Sequence, residues 1–330
     1  MRFQKVLCIF VFSLLLLVAL HAQEKVDSSK HAVRMIPVEK DVSLEVLDWG
    51  GTGRPLVLLT GLGDDAHIFD DFAPKLTANY HVYAITRRGR GISSKPEPND
   101  GNYNADRLGE DVLSVINALH LSNPVVAGHS IAGEELSYIG SNHPDKVAGL
   151  IYLEAGYPYA LYDQINGELE LDAIELRKQL CQFTNGYAME PVKDYTNLIA
   201  NLERVQKEVS EHQLDTQDLP PTPVSPRMTP DLFAIMEGRE RFTTTHAPAL
   251  VIFGTDPNPV TGDDPQAQAK AVRQALMMRD KDTQIATWKR QVPSAQMVLI
   301  PHATHYVFQS NEADVLRAMN DFIATLPVKK

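Results

Sequence analysis

Short, continuously apolar segments recur along this chain and alternate with segments whose apolar residues repeat every three to four positions. The segments PLVLLTGLG and YHVYAITRRGRG each run from apolar residues into glycines, which is typical of strands buried on both faces of a sheet. The segment NADRLGEDVLSVINALHL instead spaces its apolar residues at a helical period. This alternation predicts a mostly parallel α/β sheet flanked by right-handed crossover helices.

The same pattern predicts how the sheet begins and continues. RMIPVEK and VSLEVLDWG, separated from the next strand by the turn GGTGRP, predict an N-terminal hairpin. A helix is predicted in GEELSYIGSNHP, which ends at a proline, and a last helix in EADVLRAMNDFIATL. The remaining strands are predicted in NPVVAGHS, VAGLIYLEAG, APALVIFGTD and AQMVLIPHATH.

The alternation of strands and helices breaks between residues 157 and 246. This segment contains charged amphipathic helical patterns and then the proline-rich stretch DLPPTPVSPRMTP, without a strand signal. It predicts a helical cap, residues 157–246, inserted into a core formed by residues 33–156 and 247–330. Because open α/β sheets bind ligands beyond the carboxyl ends of their strands, the cap is expected to cover those ends.

The N-terminus has the layout of a secretory signal peptide. Arg2 and Lys5 precede an apolar run that ends at Leu20, and a polar stretch follows. The run is shorter than the roughly 20 residues that a spanning helix needs. We therefore expect a signal peptide at residues 1–22, a linker at residues 23–32, and a periplasmic or secreted protein without a membrane span. An anchor that is not cleaved is the alternative.

Composition and charge limit the kinds of molecule that this protein is expected to bind. The chain has 330 residues, is 44% apolar and carries a formal net charge of -11. Binding to nucleic acid or to an anionic membrane would require a basic patch, but the Lys and Arg residues are dispersed. A small-molecule substrate remains, and the sequence leaves the oligomeric state open.

The segment PVVAGHSIAGEELSYIG places Ser130 on a sharp turn between a predicted strand and a predicted helix. A serine hydroxyl is a weak nucleophile and needs a general base, usually a histidine held by a carboxylate. Gly128, Ala132 and Gly133 are small, which permits such a turn. The helix predicted to begin at Ile131 would add N–H groups that can stabilise an oxyanion.

The segment GHSIAG resembles the nucleophile elbow of the α/β-hydrolase family, with Ala132 where the commonest form has glycine. LLTGLGD resembles the family's oxyanion loop, RRGRGISSKP its glycine-rich turn and IPHATHYVF its histidine loop. The resemblance covers nearly the whole chain after the signal segment. It implies an α/β-hydrolase fold and a serine hydrolase that cleaves an ester, thioester, amide or lactone through an acyl-enzyme, without cofactor or metal.

Other activities are compatible with the same residues. An acyltransferase or a perhydrolase could use the same triad. A ligand-binding protein without activity could share the fold, because a fold does not determine a function.

The resemblance places the general base at His305, between the last strand and the last helix. His302 is the rival, because it lies nearer the strand end. The two histidines could instead bind a metal, but no Asp, Glu or Cys cluster stands near them at ligand spacing.

Two carboxylates compete for the third position of the triad. Asp256 follows the penultimate strand, where most α/β-hydrolases carry their acid, but it comes two residues after Gly254 where three are usual. Glu154 ends the strand after the nucleophile helix, and haloalkane dehalogenases, which the chain resembles there, take their acid from that strand end. Glu154 is preferred, and Asp256 remains open.

The oxyanion hole is assigned to the backbone N–H groups of Leu62 and Ile131. Asp64 and Asp65 are expected to cap the next helix, and a role in substrate charge preference is the alternative. His129 is expected to support the loop around the nucleophile. A short basic turn is expected to be solvated or to pair with carboxylates; it contains Arg87, Arg88 and Arg90.

Overall fold

The computed structural model describes residues 30–184, 191–216, 228–262 and 265–327. The predicted signal peptide lies outside the described residues, as do most of the predicted linker and most of the proline-rich stretch. The predictions made for those segments stay predictions.

Eight strands form one sheet in the order β1-β2-β4-β3-β5-β6-β7-β8. The hairpin β1-β2 and the pair β2-β4 are antiparallel, and all pairs from β4 onward are parallel. The predicted hairpin and the predicted mostly parallel sheet are therefore confirmed. The strands are β1 (Ala32–Glu39), β2 (Val42–Gly50), β3 (Arg54–Leu59), β4 (Tyr80–Ile85), β5 (Val125–His129), β6 (Gly149–Leu153), β7 (Ala249–Thr255) and β8 (Gln296–Pro301).

The apolar runs form strands because both faces of the sheet are covered. In β3, Leu56 and Leu58 pack into one buried cluster, whereas Val57 and Leu59 pack into the cluster on the opposite face. Side chains alternate between the faces of a strand, so a strand covered on both sides is apolar at every position. This is the physical reason that the pattern identifies these strands.

Nine α-helices occur in the described part of the chain. They are α1 (Asp100–Tyr103), α2 (Ala105–Ala118), α3 (Gly133–Asn142), α4 (Leu169–Thr184), α5 (Pro191–Thr216), α6 (Pro230–Glu237), α7 (Pro265–Gln291), α8 (Val307–Ser310) and α9 (Glu312–Thr325). Within the described ranges, no helix combines the length and the apolar character that crossing a bilayer requires.

The hydrophobic pattern did not predict α6 or α7. The buried face of α7 combines the apolar Ile285 and Trp288 with the polar Lys281, Gln284 and Thr287. Because three of these five residues are polar, no apolar stripe marks the helix in the sequence.

The described part of residues 157–246 contains α4, α5 and α6 and no strand. The prediction of helices in this segment is confirmed there. Its role as a cap stays a prediction.

Candidate active site

Four neighbouring parallel strands end in the same way at the carboxyl edge of the sheet. The first residue after each of β5, β6, β7 and β8 has a positive φ, although none of the four is glycine. This left-handed backbone is unfavourable for residues with a side chain and turns the chain sharply at the edge. The four residues are Ser130 (φ 53°), Glu154 (φ 48°), Asp256 (φ 47°) and His302 (φ 60°).

The transition from β5 into α3 differs slightly from its prediction. Ser130–Ala132 forms a single 3-10 turn, and the α-helix begins at Gly133. The helix was expected to begin at Ile131, which instead lies inside the turn. The tighter turn leaves Ser130 half-buried at the edge of the sheet.

Close packing explains the small residues around this turn. A Cβ atom added to Gly133 would lie 2.1 Å from the carbonyl oxygen of Ala155. A Cβ atom added to Gly128 would lie 3.0 Å from the Cβ atom of Ala132. Larger side chains would therefore push the turn away from β6.

His305 lies beside Ser130. The Nε2 atom of His305 is 2.9 Å from the Oγ atom of Ser130, across 175 residues of sequence. His302, the rival base, is exposed, and its backbone N–H donates to the carbonyl of Thr255. Within the described ranges, no group of three or more His, Cys, Asp or Glu residues is arranged to hold a metal ion.

His129 supports the loop that carries His305. Burial, followed by the neighbouring His305, lowers the pKa of His129 to about 4, so its ring is neutral at neutral pH. Its Nε2 atom is 2.9 Å from the backbone carbonyl of His305, and the neutral ring donates its proton there. The imidazole therefore fixes the position of the loop, and its low pKa makes it a poor base for Ser130.

The surroundings of His305 oppose its protonation. The ring remains accessible to solvent, but the protein removes part of the water around it, and this desolvation lowers the pKa of His305. The negative charges of Glu154 and Asp64 raise that pKa, whereas the positive charge of Lys281 lowers it. The Tyr306 hydroxyl donates to Asp64 at 3.3 Å.

The two acids have different surroundings. Glu154 is buried, and its Oε2 atom accepts from the backbone N–H of Gly254 at 2.6 Å. Asp256 is exposed and accepts from the Thr255 hydroxyl at 3.4 Å. No hydrogen bond joins either carboxylate to His305 within the described part of the chain, and of the two only Glu154 acts on the His305 charge.

Arg87 joins the loop before Leu62 to the helix after Ser130. Its guanidinium donates to the carbonyls of Thr60 and Gly61 at 3.0 and 3.1 Å. It also donates to Oε1 of Glu135 at 2.7 Å, and both side chains of this ion pair are buried. The side chains of Leu62 and Ile131 meet in one apolar cluster. The oxyanion assignment to their N–H groups stays a prediction.

The basic turn is not solvated. Arg88 is fully buried and forms a bidentate ion pair with Asp111, while Arg90 pairs with Asp231. Of the two expectations for this turn, the pairing with carboxylates is confirmed and the solvated loop is wrong. Asp65 caps the following 3-10 turn, as expected, by accepting from the N–H of His67, whereas Asp64 accepts from the Tyr306 hydroxyl instead.

The sequence matches the family model described as "Alpha/beta hydrolase family" over residues 56–318. The chain belongs to this family. Its sheet is mostly parallel, and the contact between Ser130 and His305 lies at the carboxyl edge of the parallel strands.

Individual relatives vary in how much of the chain they share. A Caulobacter segnis protein described as a carbamate hydrolase, RutD, is 33% identical over 33% of this chain and 41% of its own length. The chain thus spans less than half of that relative. A 2-(acetamidomethylene)succinate hydrolase of Mesorhizobium japonicum is 23% identical over 83% of this chain and 89% of its own length.

A solved structure resembles the fold over almost the whole chain. The crystal structure of an E-2-(acetamidomethylene)succinate hydrolase aligns with a TM-score of 0.52 and 18% identity. The alignment covers 90% of this chain and 100% of the other. At this identity the likeness shows the α/β-hydrolase fold alone.

Three residues at the site were not predicted from the sequence. The hydroxyl of Tyr159 interacts with the Ser130 side chain, and the hydroxyl of Tyr157 donates to Glu154. The two tyrosines come shortly after β6, in the segment AGYPY, and that position near a strand end is the signal that could have found them. Lys281 contacts Glu154 from the middle of α7, and no local sequence feature marks it.

Proposed function

We propose that this protein is an exported serine hydrolase that cleaves an ester, thioester, amide or lactone through an acyl-enzyme at Ser130. The observation that carries the proposal is the 2.9 Å contact between Nε2 of His305 and Oγ of Ser130 on a sharp turn at the strand ends. Export rests on the sequence of residues 1–22 alone. An N-terminus at residue 23 in the periplasmic or secreted protein would support it.

In the first half of the reaction, His305 takes the proton of the Ser130 hydroxyl while Oγ attacks the substrate carbonyl. The lowered pKa of His305 keeps its ring neutral and able to accept this proton near neutral pH. Glu154 stabilises the imidazolium that forms. The N–H groups of Leu62 and Ile131 donate to the negative charge that develops on the carbonyl oxygen.

The imidazolium then gives its proton to the leaving group as the bond between that group and the carbonyl carbon breaks, which ends the first half and leaves the acyl group on Ser130. In the second half, His305 takes a proton from a water molecule that attacks the acyl-enzyme. The bond between Oγ of Ser130 and the acyl carbon then breaks, the imidazolium returns its proton to Oγ, and the acid is released. All proton transfers use Nε2 of one histidine, so the chemistry requires no metal or cofactor.

A fluorophosphonate probe tests the nucleophile directly. We expect covalent labelling of the wild-type protein at Ser130, found by peptide mass spectrometry, and no labelling after Ser130→Ala. An unlabelled wild-type protein would favour the ligand-binding alternative. Turnover that appears only with an added alcohol or with peroxide would favour the acyltransferase or perhydrolase.

A substrate panel addresses specificity. It should contain p-nitrophenyl esters of increasing acyl length together with amide and carbamate analogues. The C–N substrates belong in the panel because two relatives are named as hydrolases of a carbamate and of an acetamidomethylene compound. A higher kcat/KM for one class of substrate than for the others identifies the kind of leaving group that this protein accepts.

Helix α6 should govern the preference for acyl length. Its residues Leu232 and Met236 pack in the same apolar cluster as Leu62 and Tyr159. We expect Leu232→Ala and Met236→Ala to change the ratio of kcat/KM between long and short acyl esters by about tenfold. Phe233→Ala is the matched control, because that side chain is exposed on the same helix. Equal losses for every acyl length would contradict a role in specificity.

Arg87 should position the oxyanion loop. We expect Arg87→Met to lower kcat by about 10- to 100-fold with little change in KM, because the loop before Leu62 loses two hydrogen bonds and its link to Glu135 of α3. The change also leaves Glu135 buried without its partner, which lowers stability.

The double variant Arg87→Met/Glu135→Gln separates these two effects. It removes both charges, so thermal stability should recover while kcat stays low. Full recovery of kcat in this variant would mean that Arg87 serves folding alone.

A further inference from the structure

A buried lysine lies at the candidate active site. Lys281 is 6% exposed and sits on the partly polar buried face of α7. Removing an ammonium group from water is costly unless it is paired and hydrogen-bonded. The contacts that compensate the free energy of burying the ammonium therefore indicate which groups Lys281 influences.

The hydrogen bonds of Lys281 lead to Glu154 and to the end of β7, and its ammonium also lies 5.7 Å from the centre of the Tyr157 ring. The Nζ atom of Lys281 donates to Oε1 of Glu154 at 2.6 Å and to the carbonyl of Gly254 at 2.7 Å. The N–H of Gly254 donates to the other oxygen of Glu154, and the hydroxyl of Tyr157 donates to the same oxygen as Lys281. The carboxylate is thereby fastened to β7, to α7 and to the segment after β6.

The ion pair also affects His305. The charges of Glu154 and Lys281 act on its ring with opposite signs. The other charged group that acts on the ring is Asp64, from the loop after β3. His129 packs beside His305 with a ring-centroid distance of 4.8 Å and is neutral near pH 7.

We propose that Lys281 is a positioning residue that clamps the Glu154 carboxylate against β7 and offsets its negative charge at His305. This inference rests on the proposed function in one respect, because it takes His305 as the general base. Lys281 itself touches neither Ser130 nor the reacting atoms in this assignment. It acts through Glu154.

The direction of the effect follows from the charges. The base is active when its imidazole is neutral, so kcat/KM rises with pH through the pKa of His305, which lies below its ordinary value of 6.5. Removing the positive charge of Lys281 leaves Glu154 unopposed and raises that pKa. The rise of kcat/KM must then move to higher pH.

The experiment measures the pH profile of p-nitrophenyl acetate hydrolysis for Lys281→Met. We expect the midpoint of the acid limb to rise by about one pH unit. Lys281→Arg keeps the charge and should keep the midpoint near that of the wild type. Lys289→Met, an exposed lysine on the same helix, is the matched control and should leave the profile unchanged.

Titration of the His305 ring by NMR, assigned with His305→Gln, gives the same midpoint without turnover. This titration distinguishes a failure of the proposed function from a failure of the proposed role of Lys281. A wild-type protein that neither hydrolyses the ester nor reacts with fluorophosphonate contradicts the proposed function, while the titration still decides the role of Lys281. An unchanged His305 midpoint in Lys281→Met overturns the role of Lys281 even if hydrolysis is normal.

A paired substitution keeps the test decisive if Lys281→Met does not fold. Glu154→Gln/Lys281→Met removes both charges and leaves no unpaired buried ion. We expect its His305 midpoint to stay near the wild-type value and that of Glu154→Gln alone to fall, because the lysine is then unopposed. Equal His305 midpoints in Glu154→Gln and in Glu154→Gln/Lys281→Met would overturn the proposal.

Discussion

Replacing Ser130 with alanine should lower kcat by about 10⁴- to 10⁶-fold on any substrate of the panel. The substitution removes the attacking oxygen 2.9 Å from Nε2 of His305 and little else. Ser130 is half-buried, and alanine accepts the same backbone geometry at the turn about as well as serine does. Circular dichroism and the Tm should therefore stay close to wild type while turnover in a continuous ester assay is lost.

Two controls define this result. Ser141→Ala removes a hydroxyl from α3, the helix that follows Ser130, where Ser141 donates to the carbonyl of Thr244, and should keep near-native kcat. His305→Ala should reproduce the large loss and His302→Ala should not. A near-native rate in His305→Ala together with a loss in His302→Ala would move the general base to His302.

The second large effect concerns the acid. Glu154→Gln should lower kcat by about 10³- to 10⁴-fold with a modest change in KM, because the amide no longer stabilises the imidazolium of His305. The basis for choosing Glu154 is its electrostatic action on His305 and its burial at the end of β6. Steady-state kinetics of both parameters check the prediction.

Asp256→Asn is the matched comparison, since Asp256 has the same backbone geometry at the end of the neighbouring strand. We expect a small loss, because its side chain is exposed and bonds to Thr255. The reverse pattern would place the acid at Asp256. Comparable losses in both variants would mean that the two carboxylates share the surroundings of the histidine.

The site carries an unusual electrostatic arrangement for the activity proposed. Glu154 accepts hydrogen bonds from a lysine, a tyrosine and a backbone amide, so its charge is shared before His305 becomes protonated. A carboxylate held by other donors moves little when the imidazolium forms, and such preorganisation lowers the cost of charge formation. In return, Glu154 stabilises the protonated form of His305 less strongly. The His305 midpoint of the Lys281 variants measures this difference.

Much of the fold could be predicted from the sequence, because strands that are buried on both faces of the sheet are apolar at every position. The central strands are short apolar runs stopped by glycine or by a turn, and α2 shows its apolar residues at a helical period. The elbow around Ser130 is equally local, since its small residues are needed within a few positions of the serine.

The rest depended on contacts between distant parts of the chain. Lys281 and Glu154 are 127 residues apart, and Arg87 meets Glu135 across 48. A hydrophobic pattern reveals which apolar positions are buried. It gives no information on which charged residues are buried together. The polar buried face of α7 therefore escaped prediction, along with the clamp it provides.

By itself, the sequence determined the parallel sheet, the serine on its turn and the histidine loop near the C-terminus, because each is encoded by neighbouring residues. The family resemblance of the sequence pointed to His305, and the tertiary structure alone gave its contact with Ser130 and the groups that hold Glu154. Strand order brings β5, β6, β7 and β8 side by side, and a shared left-handed turn after each strand sets the edge at which their side chains meet. Distances across that edge arise from packing, which no local pattern specifies.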